Sequence, residues 1–289
     1  GDNSSLSINH LLFGRVMKAG IIAWTTYLEL VRRPLFWSIV AVAILAIYPV
    51  SFYLPYNTFG EDTKMVMDLG LAVIMIAGLV VGIFSSSVSI ADEIDGKTAI
   101  TLLSKPISRR DFIVGKFLGI MLAVLLLVLV VGAAYLMTIY FKIGYDAREG
   151  ARDIPSFGRR MRLIVQVLPG LVLTYFQLSI LCAISVALST RFPIHWNVTV
   201  CASVLLLGNI ASQIVAAAEY DNRFRGVEFV ARVFATILPG FGYFNIGPAI
   251  STDAIVPASY VLWSFLYCLL YTGVAIFAAL LMFEDRDLA

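Results

Sequence analysis

Six apolar runs, each long enough to cross a bilayer, leave this chain little to fold into except a bundle of membrane helices. They are Leu35–Leu54, Leu69–Ala91, Phe112–Phe141, Leu163–Leu188, Ile194–Ala218 and Ala258–Phe283. A helix needs about 20 apolar residues to cross about 30 Å of hydrocarbon at about 1.5 Å per residue. Backbone groups in lipid must be satisfied within the segment or by a closed barrel. None of the runs alternates in the manner of a barrel strand of about ten residues. The expected fold class is therefore an all-α integral membrane protein with six transmembrane helices, residues 1–289 forming a single domain. The composition agrees, with 60% hydrophobic and 14% charged residues against about 45–50% and about 25% in soluble domains.

Several functional classes are disfavoured at this stage. A net charge of +2 is too small to suggest a nucleic-acid partner. Cys182, Cys201 and Cys268 lie inside apolar runs without metal-site spacing, which makes them packing residues. His10 stands alone and His195 sits at a span boundary, so no metal site is expected. No Asp, Glu, Lys or Arg falls near the middle of a predicted span, which disfavours a proton- or sodium-coupled carrier. With no H-E-x-x-H and no intramembrane acid, an intramembrane enzyme has little from which to build a catalytic site. Residues 1–11 contain no apolar stretch of signal-peptide type.

Outside the spans, residues 7–33 read as a helix lying at the membrane surface. Ser7 is a candidate cap, and Lys18, Thr25, Glu29 and Arg32 recur on one face. Ile21, Ile22, Trp24 and Leu28 supply apolar surface on other faces, and Pro34 restarts the chain as the first residue of span one. Residues 219–257 are too long and apolar for a linker. They read as an external re-entrant or interfacial segment with an aromatic, glycine-punctuated stretch from Phe241 to Gly247, ended by Pro248. Gly78-x-x-x-Gly82 and Gly115-x-x-x-Gly119 permit close helix approach, within one bundle or between two. Lys and Arg divide almost evenly between the two sides. The flank of span one, Arg32 and Arg33 against a following loop with Glu61 and Asp62, favours both termini in the cytoplasm.

The segment most informative about a partner is a charged island between spans two and three, Asp92 to Lys116 (DEIDGKTAITLLSKPISRRDFIVGK). Asp92, Glu93 and Asp95 end span two in water, and Gly96 allows the chain to turn. Thr98–Ser104 forms a short helix with Ile100, Leu102 and Leu103 as apolar contacts, stopped before Pro106. Ser108-Arg109-Arg110-Asp111 has the S-x-x-D pattern of a capped helix start. A short leucine-bearing helix flanked by Lys105, Arg109 and Arg110 suits docking into a protein groove, and equally a headgroup-binding loop.

The order Glu93, Gly96, Thr98, Leu102, Leu103, Pro106, Ser108, Arg109 and Lys116 resembles the E-x-x-G-T-x-x-x-L-L-x-x-P-x-S-R signature of type-2 ATP-binding-cassette exporter permeases. Lys97 separates Gly96 from Thr98, which the signature places side by side. The layout of an amphipathic N-terminal connecting helix, six spans, the island after span two and an external hairpin before span six is similar to that family as well. The resemblance implies that residues 92–111 are a cytoplasmic coupling segment seated in a cleft of a separate ATPase subunit. It further implies two permease copies, or one and a close paralogue, with two ATPases in a prokaryotic plasma or inner membrane. No G-x-x-x-x-G-K-S/T phosphate loop occurs, so ATP and Mg would be bound by the partner, and no cofactor or catalytic residue is expected in this chain. Gln177, Asn209 and Gln213 are candidates to line a pathway, or to serve as hydrogen bonds between helices. The alternative is a channel or uncoupled carrier that works without an ATPase.

Overall fold

The computed structural model describes residues 2–53, 62–95, 108–149, 156–220 and 238–284, except 253 and 255. Among these, every regular element is helical. The order is α1 (Asp2–Arg32), α2 (Pro34–Tyr53), α3 (Asp62–Asp95), α4 (Arg109–Glu149), α5 (Phe157–Ser189), α6 (Ile194–Tyr220), a 3-10 turn (Phe241–Phe244), α7 (Gly247–Ser251) and α8 (Ala258–Glu284). Four stretches are long and apolar enough to cross a bilayer: Thr63–Ile90, Arg110–Arg148, Phe157–Ser189 and Ala258–Phe283. The pair Met17–Arg32 and Pro34–Pro49, bent by 64°, makes a fifth candidate, and the described apolar part of α6, Ile194–Ile210, is shorter than a crossing. Among the described residues the expected six spans are thus four or five. The protein is a multi-pass helical membrane bundle.

The central helix is α4, which packs against α1, α2, α3, α5 and α8. Ile113, Ile120, Leu127, Tyr135 and Ile139 along it are fully buried, together with Ile74, Ile90, Leu173 and Leu178 from α3 and α5. On α8, by contrast, Leu262, Trp263, Leu270, Val274 and Phe277 are largely exposed, as a face turned to lipid must be.

Both small-residue motifs are used inside this one chain. A side chain at Gly115 would collide with Ile22 and one at Gly119 with the Ala23 carbonyl and Thr26, so α1 lies directly on the first turns of α4. Gly78 and Gly82 likewise accept Leu178 and Cys182 of α5, also four residues apart.

Helix α1 begins at Asp2, which puts Ser7 within it and not at its cap. The predicted polar face holds: Lys18, Thr25, Glu29 and Arg32 are exposed, while Ala23, Thr26 and Leu30 are buried. Thr25 back-bonds to Ile21 O and Ile22 O at 3.0 Å. The break at Arg33 follows from Pro34, which has no N–H to continue the helical ladder. The elbow is held by the Arg33–Glu29 ion pair and by the Trp37 indole donating to Val31 O at 2.9 Å.

Of the predicted 219–257 segment, Glu219 and Tyr220 continue α6, and residues 221–237 lie outside the described residues. The aromatic stretch packs inward. Phe241, Phe244, Ile246 and Ile250 are buried, with Phe241 against Gly208 and Ile246 against Gly170. The Gly240 amide donates to the Tyr267 hydroxyl at 3.0 Å, and Tyr260 donates to Tyr243 O at 2.7 Å. Pro248 is the second residue of α7 and so opens a helical turn where an end was expected.

Candidate coupling site at the island end of the bundle

One end of the bundle gathers the foot of α3, the start of α4, the α5–α6 turn, the end of α8 and the packed part of α1. The charged island leaves and re-enters the bundle at this end. Ser108 performs as its spacing predicts: the Asp111 amide donates to Ser108 Oγ at 3.2 Å, the first bond of an N-cap. Arg109 is the first residue of α4, and Glu93 lies in the last turn of α3. Gly96, Thr98, Leu102, Leu103 and Pro106 fall outside the described residues.

Lys116, the last residue of the island, is buried. Its ammonium donates to Ser89 Oγ at 2.9 Å and lies 5.8 Å from the centre of the Phe112 ring. The two helices that flank the island are thereby tied together just inside it. Phe112 in turn stacks on Phe283 at 6.1 Å, and Arg191 Nε donates to Met282 O at 3.1 Å, which brings α8 and the α5–α6 turn to the same place.

Behind this tie lies a buried polar knot centred on Asn197. Its amide nitrogen is 2.8 Å from Ser87 Oγ, 2.9 Å from both Ser185 Oγ and Ser189 Oγ, and 3.2 Å from Ser185 O. An amide carries two hydrogens, so these four acceptors share them. Cys201 Sγ donates to Asn197 Oδ1 at 3.3 Å, and Ser86 Oγ is hydrogen-bonded to Ser185 Oγ. Ser86, Ser185 and Asn197 are completely buried. Such groups in an apolar bundle are costly unless partnered, so the knot favours one register of α3, α5 and α6 over all others. Chemically it can orient helices and hold them together. Nothing in it is an activated nucleophile or a general base.

Of the predicted pathway residues, one lies on α5 and two on α6. Gln177 is buried on α5, whereas the Asn209 amide donates to Leu205 O of its own helix at 2.9 Å. Gln213 lies on the backbone of α6 and its side chain is outside the description. The three cysteines are buried and unpaired, and two of them make polar contacts besides packing: Cys201 as above, and Cys268 to Phe176 O at 3.4 Å.

Sequence reading missed Asn197 altogether. The one available signal was the row Ser85, Ser86, Ser87 and Ser89, an unusual density of hydroxyls in an apolar run. A family model described as ABC-2 family transporter protein matches residues 27–194, from the last turns of α1 to the first residue of α6. No curated protein matches the chain. The match covers more than half the chain and takes in the elbow at Arg33, the Ser89–Lys116 tie and the serines of the knot, stopping short of Asn197 and α8. The chain therefore belongs to the ABC-2 family of transporter proteins.

Proposed function

We propose that this chain is the permease subunit of an ATP-driven exporter, working as a pair of permease chains on separate ATPase subunits that dock on residues 92–111. The observation that carries this reading is the tie inside the island: Lys116 joins the two helices that flank the segment, and the Asn197 knot joins one of them to α5 and α6. A push delivered to the island would therefore move α3 and α4 together and carry α5 and α6 with them, instead of bending a loose loop. Membership of the family brings an ABC-type ATPase as the natural source of that push. Both termini then lie in the cytoplasm, since the ends of α8 and of the packed α1 segment share the island's side of the bundle.

Leu102 and Leu103 are the residues to test. Their replacement by Asp puts charge where a groove would receive leucine, and the ATPase should no longer co-purify while the permease still inserts. Association at the wild-type level would defeat the docking assignment. Flux through the reconstituted chain alone, without any ATPase, would favour the channel reading instead.

Lys116→Met separates docking from transmission. The ATPase should remain bound, because Lys116 faces Ser89 and not the partner. Permease-stimulated ATP hydrolysis should fall severalfold.

A further inference from the structure

The opposite end of the bundle gathers arginines from α4 and α5 at one corner, and the reading above makes no use of them. At 41 residues, α4 measures about 60 Å, roughly twice the hydrocarbon thickness, so its last turns reach past the apolar layer into the headgroup layer. There it meets the start of α3: Thr63 Oγ1 donates to Asp146 Oδ2 at 2.7 Å, and Lys142 pairs with Asp146 Oδ1 at 2.8 Å. Both oxygens of Asp146 are thus occupied. Arg148, Arg159, Arg160 and Arg162 have no carboxylate partner among the described side chains.

Arg160 is the fixed member of this group. Its guanidinium lies 5.3 Å from the centre of the Tyr140 ring, and its Nη1 and Nη2 sit 3.2 and 3.3 Å from where a Gly144 side chain would begin. Glycine at 144 lets the planar group rest on the α4 backbone. Arg160 Nε is buried with no hydrogen-bond partner. Tyr140, Gly144 and Arg148 recur every four residues along one face of α4, which sets Arg148 one turn beyond the seat of Arg160. Arg159 and Arg162 flank it on α5, both exposed. Phe141 and Tyr145 on α4 and Phe157 and Met161 on α5, within a turn of these residues along their helices, are exposed.

Guanidinium groups with exposed aromatic residues a turn away on the same two helices, at the edge of a membrane bundle, match a molecule that is anionic at one end and apolar at the other. We propose that the α4–α5 corner binds the phosphate headgroup of an anionic phospholipid. Arg160 and Arg148 would hold the phosphate oxygens, Arg159 and Arg162 would add charge, and the aromatic rim would lie against the upper acyl chains. A free phosphate ion would use the same guanidinium groups but gain nothing from the rim. The assignment is independent of ATPase docking at the other end.

The full chain, purified in a neutral detergent, is titrated with phosphatidylglycerol, with phosphatidylcholine and with inorganic phosphate, and lipid retention is read by native mass spectrometry beside thermal unfolding. Phosphatidylglycerol alone should be retained and raise the unfolding temperature. Each arginine removed should weaken retention about fivefold. Arg160→Gln tests the seat directly. Because Arg160 is packed on Tyr140, Arg159→Gln with Arg162→Gln serves as the second variant, at exposed positions with no role in packing. Equal retention of phosphatidylcholine, equal stabilisation by phosphate alone, or wild-type retention in the Arg159/Arg162 double variant would overturn the assignment.

Discussion

Gly119→Val is expected to lift α1 off the bundle and to lower the unfolding temperature more than any other single substitution considered for this chain. A side chain at position 119 would start 2.6 Å from the Ala23 carbonyl oxygen and 2.6 Å from Thr26 Cβ. The first of these is backbone and cannot rotate away. Overpacking of a filled core typically costs about 1–3 kcal/mol, and here relief requires a whole helix to retreat. Retreat of α1 also drags on the Arg33 elbow and hence on α2. Gly20→Ala is the matched control, since nothing lies within 4 Å of the position a side chain would take. It should be neutral, or stabilising by up to about 1 kcal/mol because alanine is the better helix former. Gly78→Ala should fall between the two, since its nearest neighbour is the end of the Leu178 side chain. Thermal unfolding of the three purified variants gives the order directly. A Gly119→Val protein as stable as the Gly20→Ala one would mean that α1 does not pack on α4 through this glycine.

What could be read from the sequence was what neighbours in sequence decide. The apolar runs gave the helical membrane class, Pro34 the start of α2, and the S-x-x-D spacing the cap at Ser108, because each of these interactions closes within a few residues. The polar face of α1 was legible for the same reason. Lys116 was legible as part of the island but not as a buried strap, since its partner Ser89 lies 27 residues earlier on another helix. The Asn197 knot depends on separations of up to 110 residues, and a single Asn at the head of an apolar run carries no trace of them. Asn209, a pathway candidate from its sequence, donates to Leu205 O of its own helix, a bond that its polarity alone does not announce. At the far end, Lys and Arg divide almost evenly between the two sides of the membrane, so their count singles out no corner. Geometry separates the Lys142–Asp146 pair from the arginines that have no acidic partner among the described side chains.

Asn197→Leu should uncouple the bundle while leaving its partner attached. Leucine is close to asparagine in size, so the change removes the amide without opening a large cavity. Interhelical hydrogen bonds in membrane bundles are worth about 0.6 kcal/mol on average and at most about 1.7 kcal/mol. Ser86 and Ser189 keep bonds to Ile83 O and Ser185 O in their own helices, whereas Ser87 loses the amide to which it is joined. Leaving a buried polar group unpaired costs about 1–3 kcal/mol, so a loss of about 2 kcal/mol in stability is expected, well short of unfolding a large bundle. The larger effect should be functional. With α6 no longer tied to α3 and α5, displacement of the island would be absorbed by slip of α6, and permease-stimulated ATP hydrolysis should drop about tenfold, the change that a 1.4 kcal/mol loss of coupling produces. ATPase co-purification should stay at the wild-type level, which distinguishes this variant from Leu102→Asp with Leu103→Asp. Combined with Lys116→Met, the losses should be less than additive, because both substitutions act on one rigid connection. Full additivity, or undiminished hydrolysis in Asn197→Leu alone, would mean that the knot serves only to hold the fold and that force from the island travels through α4.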